Sequence, residues 1–140
     1  MTLSIAVTND LETCLALRQT VFIDEQGVSV AEERDGRDGE AHHILATFKG
    51  RPVGCARILI KGETGKIGRV CVLQDARGQG IGAALVKACV AHIATMSGLT
   101  RAELGAQTHA IGFYGGLGFT AYGPEYDDAG IPHRDMERAL

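Results

Sequence analysis

The chain has 140 residues, of which 45% are hydrophobic, and its formal net charge is -3. This length suits a single domain with one core of mixed helices and strands, and 19 glycines indicate a compact, turn-rich protein rather than a disordered one. The negative net charge and the scattered cationic residues argue against a nucleic-acid ligand. Because the apolar runs are too short to span a bilayer and the N-terminus does not resemble a signal peptide, we expect a cytoplasmic protein with no membrane partner.

The first half of the chain predicts a strand, a helix, a polar segment and a hairpin. The strand covers residues 3–7, and Asp10 is a suitable N-cap for a helix that reaches about residue 23. Residues 31–40 are polar and predict a loop or irregular helix. The hairpin pairs residues 44–48 with 53–60.

The second half alternates strands with helices. A strand at 67–73 leads into a helix that ends near residue 96, a strand at 101–107 leads into a short helix at 109–117, and two closing strands flank a loop at 123–132. Strands first, followed by this alternation, predict a mixed sheet with helices on both faces. The four cysteines lie in apolar surroundings without CxxC spacing, which predicts buried thiols and no metal site.

The segment from Arg77 to Gly82, RGQGIG, is the most informative part of the chain. Glycines between a strand and a helix allow the backbone to approach a ligand closely. The free N–H groups and the positive dipole end of the following helix favour an anion there, and Arg77 adds a cation at the rim. These residues therefore predict a site for a phosphorylated cofactor.

Two common phosphate-binding motifs explain this segment less well. A P-loop requires a Gly-Lys-Ser or Gly-Lys-Thr sequence, which does not occur in the chain. Gly78, Gly80 and Ala83 formally satisfy the dinucleotide fingerprint, and Glu103 follows at a suitable distance. However, residues 74–77 intervene between strand and glycines, and too little chain follows for a doubly wound sheet. A dinucleotide-binding protein is therefore a minor alternative.

Several segments together resemble the GNAT superfamily of N-acetyltransferases. VLQDARGQGIG resembles its R/QxxGxG/A coenzyme A signature, with Arg77, Gly80 and Gly82 on the signature positions. AQTHAIGFYGGLGF resembles its later motif, with Gln107 where many members have Asn. LRQTVFIDEQGV, EAHH, GKIGRVCV and EYDDAGIPHRDM further resemble the ElaA/YjcF-like branch.

The resemblance implies one α/β domain over residues 1–140 that binds acetyl-CoA. Its GNAT-like mixed central β-sheet would have splayed central strands, here 67–73 and 101–107, with helices on both faces. The pantetheine arm would enter between these strands and pair with their free backbone groups. By resemblance the cofactor contacts are Val70, Cys71, Val72, Arg77, Gly78, Gln79, Gly80, Ile81, Gly82, Ala83, Gln107, Phe113 and Tyr114.

The implied reaction is direct attack of a primary amine on acetyl-CoA in a ternary complex. By resemblance, the Val72 N–H would point at the thioester carbonyl and stabilise the developing oxyanion. Tyr114, on the tyrosine position of the motif, is the candidate acid for the departing thiolate. His133 is the candidate base, with His43, Glu103 or a water chain as alternatives. The implied partner is a small-molecule or peptide amine, and a homodimer is left open.

Two runs of acidic residues bear on the nature of the acceptor. They are Glu32, Glu33, Asp35, Asp38 and Glu40 in one segment, and Asp127 and Asp128 near the C-terminus. Both runs could attract a cationic amine, although solvated loop charge is the alternative and the interleaved Arg34 and Arg37 weaken the attraction. A non-catalytic acyl-CoA-binding or sensing module remains the second functional class, against which the intact tyrosine motif argues.

Overall fold

The computed structural model describes residues 2–140, whose strands form one seven-stranded mixed sheet. The strand order is β1-β2-β3-β4-β5-β7-β6, and only the β4–β5 pair is parallel. The strands are β1 (Leu3–Thr8), β2 (His42–Phe48), β3 (Arg51–Lys61), β4 (Thr64–Val72), β5 (Arg101–Gln107), β6 (Thr120–Asp128) and β7 (Ile131–Ala139).

Four α-helices connect these strands: α1 (Leu11–Arg18), α2 (Val30–Glu33), α3 (Ile81–Ala94) and α4 (Ile111–Gly115). Asp10 caps α1 as predicted, because its side chain accepts a hydrogen bond of 3.1 Å from the Thr13 N–H. The same helix continues as a π-helical segment, Gln19–Glu25, which the apolar spacing did not predict. Short 3-10 turns cover Asp38–Glu40, Gln74–Ala76 and Thr108–Ala110.

Helices cover both faces of the sheet. On one face, α3 packs its apolar side into the larger core cluster, with Leu85 and Ile93 fully buried. On the other face, α1 packs against β3 and β4 in a smaller cluster whose buried members include three of the four cysteines, all of them free thiols. This arrangement confirms the predicted fold class and the predicted buried thiols. Within residues 2–140, no helix combines the length and the apolar character that crossing a bilayer would require.

The central strands β4 and β5 separate part of the way along their length. Residues Thr64–Ile67 of β4 pair with residues Arg101–Leu104 of β5. Beyond these residues the two strands do not pair with each other. A bulge against β3 bends β4 at the same point, where Arg69 has a left-handed φ of 52°. The predicted splay is therefore confirmed, and it opens a gap between the two strand ends.

The C-terminal part differs from its prediction. The segment 123–132 was expected to be a loop, but β6 runs to Asp128 and β7 begins at Ile131. The turn is tight because Ala129 and Gly130 both adopt positive φ and the Asp127 carboxylate accepts the Gly130 N–H at 3.2 Å. The polar composition of this segment suggested a loop, whereas it forms an antiparallel pair at the edge of the sheet.

Candidate active site

The glycine segment forms the N-terminus of α3. Gly78 and Gly80 have φ values of 79° and 78°, which favour glycine, and Gly80 is the N-cap without any side-chain cap. The first helical hydrogen bond is donated by the Ala84 N–H to the Gly80 carbonyl. The N–H groups of the first turn are thus free of helical partners, and the geometry suits an anion such as a pyrophosphate.

A cavity of about 790 Å³ extends from this helix end along β4. Most of the predicted cofactor residues line it. The exceptions are Gln79, which is exposed, and Tyr114, which is half-buried. The predicted residues in its lining are Val70, Cys71, Val72, Arg77, Gly78, Gly80, Ile81, Gly82, Ala83, Gln107 and Phe113. We refer to it as the cofactor cavity.

Arg77 is not a free cation at this rim. Its guanidinium forms two hydrogen bonds with Glu25, of 2.7 and 2.8 Å, and its Nε donates to the Val72 carbonyl at 2.9 Å. The bond to Glu25 raises the pKa of Arg77, and the same bond lowers the pKa of Glu25. Arg77 therefore ties the end of the π-helical segment to the glycine loop, and a carboxylate already neutralises its charge.

The Val72 amide faces the gap between β4 and β5. The Leu73 N–H donates to the Val53 carbonyl at 2.8 Å, so Leu73 bonds towards β3. Successive amides point to opposite edges of a strand, so the Val72 N–H points away from β3. The register, in which Gly54 lies opposite Val72, agrees with this alternation. The Val72 N–H thus points to the open side of β4, and its proposed role towards a thioester stays a prediction.

A second cavity, of about 580 Å³, lies on the α1 face of the sheet and meets the first one. Tyr114 and His133 both line it, whereas neither lines the cofactor cavity. We call it the acceptor cavity. The residues that line both cavities, and so mark their junction, are Gln26, Val70, Gln107, His109 and Ile131.

Tyr114 is held by aromatic packing. Its ring meets Phe113 and Phe119 edge to face, with centroids 5.0 and 6.4 Å away. Its hydroxyl forms no hydrogen bond with any side chain or backbone group of residues 2–140. Burial raises the pKa of Tyr114, so the phenol stays protonated at neutral pH. The side chain is thus available as a proton donor.

His133 is held by its neighbours in a defined orientation. Its Nδ1 lies 2.8 Å from the Ile131 carbonyl, an acceptor only, so the neutral ring carries its proton on Nδ1 and leaves the Nε2 lone pair free. Tyr126 stacks on the ring at 5.9 Å and donates its hydroxyl to Asp135 at 2.7 Å. Gly105 makes room for that hydroxyl, because a Cβ there would clash with it.

The other candidate bases lie elsewhere. His43 is buried with its Nε2 2.9 Å from the Asp38 carbonyl, and Glu103 lies beside Arg101 on β5; neither lines the cofactor cavity or the acceptor cavity. His42 contacts His92 on the α3 side, so the two adjacent histidines face opposite sides of β2, as predicted. Within residues 2–140 no group of three or more His, Cys, Asp or Glu side chains is placed to hold a metal ion.

The acidic segment forms an ion network instead of a solvated or substrate-attracting charge cluster. Glu33 is buried and bound by Arg18, Arg34 and Arg69. Arginines also bind the other two members of the network, Asp35 and Asp38. A hydrogen bond from Arg57 holds the pKa of Asp35 well below its usual range. Arginines thus already neutralise Glu33, Asp35 and Asp38, which argues against an attraction of a cationic acceptor by these three carboxylates. Glu40 likewise pairs with Arg37, and Glu32 accepts from Ser29.

Sequence reasoning missed two residues at the junction. The His109 Nε2 lies 2.7 Å from the Gln107 Oε1, and the Gln107 Nε2 donates to the Gln26 Oε1 at 3.4 Å. This chain of hydrogen bonds connects the end of β5 to the turn after the π-helical segment. Gln26 and His109 lie within the segments that resemble the family, but their sequence separation gave no sign of their proximity.

Comparison with known proteins agrees with this geometry. Residues 11–140 match the family model described as acetyltransferase (GNAT) domain. The chain is 37% identical to the uncharacterized N-acetyltransferase YjcF of Bacillus subtilis, over 90% of each chain. Its fold matches ElaA of Escherichia coli with a TM-score of 0.84 at 31% identity, over 99% of each chain. It also matches an acyl-CoA N-acyltransferase of Pseudomonas aeruginosa with a TM-score of 0.85 at 31% identity, over 99% of this chain and 100% of that one. The chain therefore belongs to the GNAT acetyltransferase family, in its ElaA/YjcF-like branch, and is an acyl-CoA-dependent acyltransferase.

Proposed function

We propose that this enzyme transfers the acetyl group of acetyl-CoA to a primary amine, by direct attack within a ternary complex. The observation that carries the proposal is the meeting of two cavities at the gap between β4 and β5. The cofactor cavity begins at the uncapped end of α3, and the acceptor cavity contains Tyr114 and His133. An acyl group held at the junction is within reach of an amine from the other side.

The cofactor side would hold the thioester with backbone groups. When bound, acetyl-CoA supplies an activated acetyl thioester. The free amides at the start of α3 suit its pyrophosphate, and the unpaired edge of β4 suits its pantetheine amides. The Val72 N–H is the donor that we propose for the thioester carbonyl, and such a donor typically contributes about 3 kcal/mol to the transition state. Val70, two residues before Val72, lines both cavities at the junction.

Side chains of the acceptor cavity would carry out the two proton transfers of the reaction. We propose that the Nε2 of His133 accepts the proton of the attacking amine, because its Nδ1 is engaged with Ile131 and its Nε2 is free. The Tyr114 hydroxyl would protonate the departing thiolate. Both side chains line the cavity that meets the cofactor cavity at the junction, where the thioester and its departing sulfur would lie.

Release of free thiol from acetyl-CoA tests the function. We expect amine-dependent release with a panel of amines, and a matched increase in the mass of the acceptor that corresponds to one acetyl group. Binding of CoA without release for any amine would instead favour a non-catalytic sensor. The transferase and the sensor would both bind CoA more tightly than NAD, whereas a dinucleotide-binding protein would bind NAD more tightly. Calorimetry with the two ligands would therefore distinguish them.

A further inference from the structure

Arg57 and Arg69 line the acceptor cavity and belong to a larger ion network. Four arginines, Arg18, Arg34, Arg57 and Arg69, meet three carboxylates in one connected network. The Glu33 side chain is fully buried, and those of Arg18 and Arg57 are 1% and 5% exposed. The network has one more cation than carboxylates, and its outer members Arg34 and Arg69 are 37% and 24% exposed.

Part of the donor capacity of this network is unused. The Arg57 Nε is buried and has no hydrogen-bond partner within residues 2–140. Arg69 uses its Nε and Nη2 for Glu33, Asp35 and the backbone, and its side chain is 24% exposed at the cavity. No hydrogen bond within the described chain involves its Nη1. Arg69 therefore offers the cavity an accessible N–H donor on a fixed cation.

The surface beside these arginines is open and holds another cation. Gly68 lies opposite Arg57 in the β3–β4 register, and a Cβ at Gly68 would meet no atom within 4 Å. Lys66 is exposed, lines the same cavity and forms no ion pair within residues 2–140. The positive φ of Arg69 at the bulge, unusual for this residue type, sets its side chain among these groups. A small anionic group can thus approach both cations.

The remaining carboxylates lie at other parts of the wall. Glu32 is on α2, and Asp128 is the last residue of β6. The cavity therefore presents the cations of Lys66 and Arg69 on β4 and carboxylates at two places away from β4. An acceptor with an anion at one end and an amine at the other complements this pattern, with its amine directed to His133.

We propose that the acceptor is an amine that carries a carboxylate, as amino acids do, and that this carboxylate binds Arg69 and Lys66; the inference rests on the proposed function. A guanidinium matches the planar geometry of a carboxylate and can bind it through charge-assisted hydrogen bonds. Glu33 and Asp35 also line the cavity beside Arg69, and their negative charge favours a monoanion over a doubly charged phosphate ester. The acceptor cavity, about 580 Å³, accommodates a molecule of that size.

Matched pairs of acceptors test this inference on the unmodified enzyme. We expect kcat/KM for α- and ω-amino acids to exceed that for their own carboxamides by about tenfold to a hundredfold in at least one pair, since a hydrogen bond to a charged group has that effect. The proposal would be contradicted by equal kcat/KM for acid and carboxamide in every pair, or by a higher kcat/KM for the carboxamide. A higher kcat/KM for the matching aminophosphonate would also contradict it.

Variants assign the preference to the two cations. Arg69→Gln and Lys66→Gln should each reduce the ratio of acid to carboxamide, with the larger loss for Arg69→Gln. Arg51→Gln is the control, since it removes a cation whose pair with Asp75 is exposed and lies outside both cavities. An unchanged ratio in Arg69→Gln and Lys66→Gln, with CoA affinity preserved, would overturn the assignment.

A binding measurement separates this inference from the proposed function. The CoA-loaded protein is titrated by calorimetry with N-acetyl amino acids and with their carboxamides. Selective binding of the acids without turnover of any amine would support the carboxylate site and contradict the transferase proposal. Turnover of amines with no selectivity between acids and carboxamides would do the opposite.

Discussion

Tyr114 and His133 reach the acceptor cavity from different elements and are held there by different forces. Tyr114 is fixed by edge-to-face contacts with two phenylalanines, which leave its hydroxyl unengaged. His133 is fixed by a hydrogen bond to a backbone carbonyl and by stacking on Tyr126, which leave one ring nitrogen unengaged. The proposed donor and the proposed acceptor of protons are therefore both held in place without a bound substrate.

Replacing Tyr114 with Phe tests the proposed acid. The change keeps the ring packing and removes only the hydroxyl, so turnover should fall by about tenfold to a thousandfold while CoA affinity is retained. Steady-state kinetics and calorimetry measure the two quantities. Tyr122→Phe is the control, because Tyr122 is also half-buried but lines neither cavity. A normal rate in Tyr114→Phe would exclude the acid role.

The proposed base predicts a change in the pH–rate profile. A general base must be unprotonated to accept a proton from the amine, so kcat/KM of the parent enzyme should rise with pH. His133→Ala should remove this ionisation from the profile and lower the plateau by about a hundredfold. His42→Ala serves as the control, since His42 faces the opposite side of the sheet. Identical profiles for the parent and His133→Ala would rule out the base role.

At the level of elements, the start of α3 depends on a backbone conformation rather than on a side chain. Gly80 is left-handed, and a Cβ there would meet no atom within 4 Å, so the cost of any other residue is conformational alone. The amides that follow are oriented by this turn. The loop and the helix end thus act as one unit, to which Arg77 and Glu25 fasten the end of the π-helical segment.

Gly80→Ala and Gly62→Ala form a matched pair that tests this unit. Gly62 also has a positive φ, of 59°, with open space around it, but it lies in the β3–β4 turn far from the helix end. Both changes should lower the free energy of unfolding by about 1 kcal/mol. Only Gly80→Ala should weaken CoA, by about tenfold, because it moves the amides. Equal CoA affinity in both variants would contradict the proposed cradle.

Some features of these elements could be predicted from the sequence, and others could not. The glycine loop, the cap of α1 and the splay of β4 and β5 were predictable, because neighbouring residues or a shared motif determine each of them. The ion network was not, since Arg18, Arg57 and Arg69 find their carboxylates 15 to 36 residues away. For the same reason, the sequence left the acidic segment open between solvation and substrate attraction.

Across the whole molecule, the ion network joins the segment between α1 and β2 to three other elements. Glu33, Asp35 and Asp38 from this segment bind arginines of α1, β3 and β4. Breaking one partner of such a buried network leaves an uncompensated charge. The network therefore contributes to the position of the acceptor-cavity wall as well as to stability.

Acid should destabilise the protein through these carboxylates. Asp35 and Asp38 have pKa values below the ordinary 3.8 in the folded state, so the unfolded chain takes up protons first as the pH falls. Their contribution to stability is present above about pH 4 and is lost below it. Urea unfolding between pH 2 and 6 should show this loss, and Asp35→Asn should reduce it. Asp75→Asn, in an exposed pair, should keep the parent slope; identical slopes in all three proteins would contradict this account.

In the proposed binding mode, the short β4–β5 pairing would make a bound cofactor part of the sheet. Only four residue pairs, Thr64–Ile67 with Arg101–Leu104, join the two halves of the sheet directly. A ligand that fills the gap would add contacts between the two strands. By mass action, CoA at 100 times its Kd should stabilise the folded protein by about 2.7 kcal/mol. On CoA binding, amide hydrogen exchange should slow in residues 68–72 and in residues 105–107 together. A thermal-shift measurement on the same complex should show a raised Tm. Loss of protection in either strand on binding would mean that the ligand forces the seam further apart.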